Sequence, residues 1–168
     1  MKTEIKFGLT TGVLTAIWLY TEYVIGLHEK YIEYHPTVTL FAIFIPIVAI
    51  YLAIKEKRNK SQEASITYWQ GVLTGFGVSL VAAFISILAQ WFYLEVINPD
   101  WTEFMVEMTR IKAEEKLSDP SEIERQVKAA EQYFSKANYL KQSFYAPLIL
   151  GVVISLIEAA IIPKKVKA

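Results

Sequence analysis

The chain has 168 residues, no cysteine, and 17 basic against 17 acidic side chains, so its formal net charge is zero. Electroneutrality removes any bulk electrostatic case for nucleic acid, and the lack of cysteine removes disulfides, thiolate metal sites and cysteine nucleophiles. Apolar residues make up 54% of the sequence and charged residues only 20%, with the charges gathered between long apolar runs.

Four such runs, at residues 7–27, 37–54, 71–97 and 144–162, meet or approach the ~20 residues a spanning helix needs. They are continuous rather than alternating, which selects helices over barrel strands, because lipid offers no partner to open backbone groups. The expected fold is all-α: one polytopic membrane domain over residues 1–168 with four transmembrane helices. The first run follows Lys2 and Lys6 as a signal peptide would. It is too long for one, and no small-residue cleavage site follows Leu27, so it is read as an uncleaved signal anchor.

The first loop carries His28 and His35, seven residues apart, with Glu29 and Glu33 between them. These side chains can donate to a metal, but the spacing matches no standard zinc motif. The histidines are therefore read as capping or hydrogen-bonding groups, and no metal or cofactor is expected. The second run is rich in Ile, Phe and Leu and is expected at the periphery of the bundle. After it comes Lys55-Glu56-Lys57-Arg58-Asn59-Lys60, and the chain ends with Lys164, Lys165 and Lys167. Cations beside spanning segments stay on the cytoplasmic side, which places both termini there.

Without a hydrophobic drive between helices in lipid, close packing over small residues becomes important. Small residues recur every four positions in three runs: Gly8, Gly12 and Ala16; Gly71, Gly75, Ser79 and Ala83; Gly151, Ser155 and Ala159. They are assigned to helix packing. Tyr20, Tyr23, Tyr31, Tyr34, Trp69, Trp91, Tyr93 and Trp101 crowd the run ends and are read as interfacial belts.

An ionisable group inside the bilayer is a functional candidate by default. Glu22 lies within the first run, and Gln90 and Glu95 occupy the late part of the third. Glu158 falls near the other face of the membrane, in the fourth. Glu95 and Glu158 sit close to water or to lysines, so the candidate polar membrane site is Glu22, His28, His35 and Gln90.

Residues 99–140 read as an outward-facing amphipathic helical hairpin between the third and fourth spans. Asp100 with Glu103 has the pattern of a capping box, followed by Trp101, Phe104, Met108 and Ile111 on one face. Asp119, Pro120 and Glu122 start a second helix, on which Ile123, Val127, Ala130, Phe134 and Ala137 form a single stripe.

The order of these features resembles an uncharacterised family of bacterial membrane proteins, domain of unknown function 4199. The resemblance rests on Glu22, Gly26-Leu27-His28, His35, Tyr51, the basic loop 55–60, Gln70-Gly71, Gln90, Pro99-Asp100, Tyr133-Phe134 and Asn138-Tyr139. It implies four spans in the inner, cytoplasmic membrane, and no established activity. Glu95 and Glu158 are not part of it.

No catalytic signature is present, so the chain is not read as an enzyme. The leading expectation is an accessory or interaction subunit of a larger membrane assembly, its partners the lipid bilayer and another membrane protein or a second copy of itself. The alternatives are a proton- or solute-pathway protein using Glu22, Gln90, His28 and His35, and, last, a metal-dependent membrane enzyme.

Overall fold

The computed structural model describes residues 2–61 and 64–162; Lys164, Lys165 and Lys167, on which part of the orientation argument rests, lie outside them. All regular structure among the described residues is helical: α1 (Thr3–Val24), α2 (His35–Lys60), α3 (Tyr68–Ile97), α4 (Trp101–Lys116), α5 (Pro120–Tyr133) and α6 (Lys136–Ile161). Helix α2 tightens to a 3₁₀ turn at Leu40–Ile43, and α3 widens to a π turn at Tyr93–Ile97. The chain forms two compact units, Met1–Ser86 with Phe144–Ala168, and Ile87–Ser143.

Among the described residues, α2, α3 and α6 are long and apolar enough to cross a membrane. Helix α1 is not one of them, because Lys6, Thr10, Thr11, Thr15, Thr21 and Glu22 dilute its apolar content. Its threonines are nonetheless internally satisfied. Thr10, Thr11, Thr15 and Thr21 each donate to the carbonyl four residues back, at 2.7 to 3.0 Å. Such back-bonding hides a hydroxyl from an apolar solvent.

In the first unit, residue-level contacts set the helix directions. Thr3 and Lys6 donate to the Glu56 carboxylate at 3.0 and 2.6 Å, and Lys57 pairs with Glu4, so α1 and α2 run antiparallel. A methyl placed on Gly8 would meet the Val78 carbonyl at 2.8 Å, and one on Gly12 would meet the Ile85 Cβ at 2.6 Å. Both helices advance together along that seam, so α1 and α3 are parallel. Gly71 faces Ala159, Gly75 faces Ser155 and Gly151 faces Ser79, four residues forward on α3 for every four back on α6. Those two helices are antiparallel, and at Gly75 a methyl would stand 2.8 Å from both Ile50 and the Ser155 Cβ. The serines along the seam return their hydroxyls to the backbone, Ser79 to Gly75 and Ser155 to Gly151.

The expectation that the second span is peripheral holds for its first half and fails for its second. Ile50, Ala53 and Ile54 of α2 are fully buried and, with Val78, Ile154 and Ile162, form the centre of the core. An aliphatic helix needs no small-residue ladder when its partners supply one: Ile50 and Ile54 fill the space opened by Gly75 and Gly71. Leu40, Phe41, Phe44 and Val48, earlier on the same helix, are exposed.

The second unit is built on α4 and α5, which pack together. Asp119 caps α5 as its sequence implies, accepting from the Ser121 N–H at 2.9 Å ahead of Pro120. The capping box at α4 does not form. Asp100 takes a near-helical backbone (φ −87°, ψ −1°) and its side chain makes no cap bond. Val127 and Ala130 of the α5 stripe are buried, whereas Ala137 is exposed because α5 has ended at Tyr133. Tyr93 and Trp101 also depart from the belt reading. Both are buried, their rings 6.3 Å apart edge to face, with Asn98 donating to the Tyr93 hydroxyl at 2.9 Å.

Candidate functional site: a buried carboxylate between two histidines

Helix α1 is stopped two residues past its last turn by Gly26, whose φ of +82° lies in the left-handed region that favours glycine. The Gly26 N–H bonds the Tyr23 carbonyl and the Leu27 N–H bonds the Glu22 carbonyl, both at 2.9 Å. This paired closure is a Schellman stop, and it turns the chain back over the last turn of the helix. His28, two residues past the glycine, is thereby carried onto the Glu22 side chain. A run of tight turns follows, and His35 opens α2 with Pro36 in the first turn. Because His35 and Thr39 are four residues apart on that helix, they share the face that meets Glu22.

The Glu22 carboxylate is held from two directions. Its Oε1 accepts from the Trp18 indole N–H at 2.7 Å and from the Thr39 hydroxyl at 2.5 Å. Its Oε2 faces the Nε2 atoms of His28 and His35 at 3.7 and 4.0 Å, ion-pair rather than hydrogen-bond distances. The imidazole rings stand 4.8 Å apart, nearly perpendicular. Glu22 is 3% exposed and His28 2%, while His35 is half-buried. A carboxylate buried without partners costs several kcal/mol. Hydrogen bonds to a charged acceptor return about 1.5–3 kcal/mol each, so Trp18 and Thr39 offset much of that cost.

Of the four residues proposed from sequence, the structure thus joins Glu22, His28 and His35. Gln90 lies half-buried on α3, in the other unit. Trp18 and Thr39 were not anticipated; only their four-residue spacing from Glu22 and His35 could have pointed to them. Glu29 is exposed, and so is Glu33. Glu95 is exposed and pairs with Lys136 at 3.1 Å, and Glu158 is buried well along α6, with no hydrogen-bond partner for Oε2 among the described residues.

Two hollows accompany these residues. In the first unit a cleft of about 500 Å³ is lined mainly by apolar groups together with Thr11, Thr15 and Thr39. In the second unit an open groove of about 770 Å³ runs along α4 and α5. Phe104, Val106 and Phe134 line it, and Asp100, Glu103, Glu107 and Glu131 add four carboxylates. Arg110 reaches Glu107 at 3.6 Å; among the described residues no cation lines the groove itself.

The chain belongs to the family described as "Protein of unknown function (DUF4199)", whose model matches residues 6–164, in agreement with the resemblance read from the sequence. No curated protein and no solved structure matches it.

Proposed function

We propose that this is a four-span protein of the bacterial inner membrane that serves as an accessory subunit, its α4–α5 pair docking a basic amphipathic segment of another membrane protein. The carrying observation is the groove with an apolar floor and four carboxylates. An amphipathic helix with cationic flanks complements it in both shape and charge. The small-residue ladders support a hetero-partner over a ladder-mediated dimer. Gly8, Gly12, Gly71, Gly75 and Gly151 already face other helices of the same chain.

Support for the fourth span comes from α1 itself. It is 22 residues long, about 33 Å at helical rise, and its threonine hydroxyls are returned to the backbone. The bonds of Thr3, Glu4 and Lys6 to Glu56 and Lys57 gather the chain start and the basic stretch at one end, the cytoplasmic one under the positive-inside rule.

The test is purification in mild detergent with a photo-crosslinking residue at Phe104 or Phe134. The expected product is a stoichiometric membrane-protein partner crosslinked through a lysine- or arginine-rich segment. It should be lost when Glu103 and Glu131 are both changed to Lys and regained when the partner's cations are changed to acids. A monodisperse chain with no partner, or capture unaffected by the charge reversal, would contradict the proposal.

A further inference from the structure

We infer that Glu22, His28 and His35 form a binding site for one divalent first-row transition-metal ion, with zinc the natural probe. This is independent of the docking role and lies in the other unit. One ligand atom from each of the three residues falls within 4.8 Å of the others. Both histidines turn the same atom, Nε2, toward the same carboxylate oxygen. Donors bound to a common zinc at about 2.0–2.2 Å stand roughly 3.3–3.6 Å apart in tetrahedral geometry, so the two Nε2–Oε2 distances of 3.7 and 4.0 Å close with a shift of a few tenths of an ångström and the widest separation in the set, 4.8 Å, with one of a little over 1 Å.

Three further observations favour a cation at this point. Trp18 and Thr39 both donate to Oε1, so Oε2 is the oxygen that faces the imidazoles. Outer partners of this kind fix a ligating carboxylate in place. The two imidazole rings stand nearly perpendicular with centroids 4.8 Å apart, an arrangement that brings a nitrogen of each to the same side of the carboxylate. Finally, the chain commits a left-handed glycine and a Schellman stop to carrying His28 back over α1.

Two nitrogens and one carboxylate make a donor set suited to zinc or iron(II), and three protein ligands leave a coordination position open. Thr39 borders both the carboxylate and the neighbouring cleft of about 500 Å³. Nothing in the local sequence advertises this. The ligands are spaced by six and seven residues, and only the turn at Gly26 makes them converge.

The full-length protein in detergent, stripped with chelator and titrated with zinc against a chromophoric competitor, should bind one ion per chain. Glu22→Gln, His28→Ala and His35→Ala should each weaken binding by at least ~100-fold. Thr39→Val should weaken it by about tenfold or more, as loss of an outer partner does. Glu29→Gln and Glu33→Gln should leave it unchanged. Binding no tighter than that of a His28→Ala/His35→Ala double variant would overturn the site. If those variants do not fold, X-ray absorption on the zinc-loaded wild type decides: two imidazole nitrogens and a carboxylate oxygen at about 2.0–2.1 Å are expected, and a shell without imidazole overturns the assignment.

Discussion

The two units of this chain are held together by opposite means. In the first, α3 and α6 approach so closely that a single methyl at Gly75 would collide with Ile50 and Ser155. Ser79 and Ser155 there are turned onto carbonyls, and Trp18 and Thr39 onto Glu22. In the second, α4 and α5 meet through an ordinary apolar stripe, with Arg110–Glu107 and Arg125–Glu122 pairs on the outside. Helices surrounded by hydrocarbon gain nothing from burying one more leucine and must pack by shape. Helices bathed in water gain from every buried methyl. The first unit packs in the manner expected of helices in hydrocarbon, the second in the manner expected of helices in water.

The contrast makes graded predictions. The largest effect is expected at the tight seam. Gly75→Leu should cost about 3 kcal/mol, the upper end for overpacking, and lower the thermal midpoint in detergent or abolish monodispersity. Gly77→Ala is its control. A methyl there meets only Glu4, its Cγ at 3.0 Å and its Cβ at 3.2 Å, which a shift of a few tenths of an ångström relieves, so the change should be far milder. Equal damage from both would break the claim that shape holds this unit.

Next in size is Gly26→Ala. A side chain in the left-handed region costs roughly 1–2 kcal/mol. The same change should loosen His28 from Glu22, so zinc affinity should fall together with the thermal midpoint. A stability loss with unaltered zinc affinity would separate the turn from the site.

In the second unit Val127→Ala removes two buried methyl groups, worth about 1.5 kcal/mol at ~0.8 each. Amide exchange should quicken across Trp101–Lys116 and Pro120–Tyr133 and stay unchanged in α1. Uniform acceleration through the chain would mean that the two units are one.

The smallest effect concerns Asp119. The Ser121 N–H and hydroxyl hold its carboxyl below the ordinary value of 3.8. A group lowered in the folded state contributes stability that is complete above the unfolded value and disappears as pH falls through the folded one. Loss of α5 helicity below about pH 4 should therefore include a component that Asp119→Asn lacks, since Asn keeps the cap without the charge.

These regions differed in how legible they were. Continuous apolar runs declared α2, α3 and α6, because length and composition suffice for that judgement. Asp119 with Pro120 announced α5, since capping is a local matter. The same local logic failed at Asp100, whose own backbone is already near-helical and denies the side chain its capping geometry. The core position of Ile50 and Ile54 was hidden because the complementary glycines sit on another helix. For the site, Glu22 stood out as a charge among apolar neighbours and the histidines as rare residues. Their convergence depended on the φ of Gly26, a backbone property that a glycine permits but does not dictate.

The most direct test of the four-span arrangement uses the absence of cysteine from the chain. Single cysteines at the exposed positions Lys2, Glu29, Asn59 and Ser118 can be probed in intact spheroplasts with a membrane-impermeant maleimide. Cysteines at 29 and 118 should react from outside, and those at 2 and 59 only after lysis. Equal accessibility of 2 and 29 would mean that α1 does not cross the membrane, and the arrangement would fall.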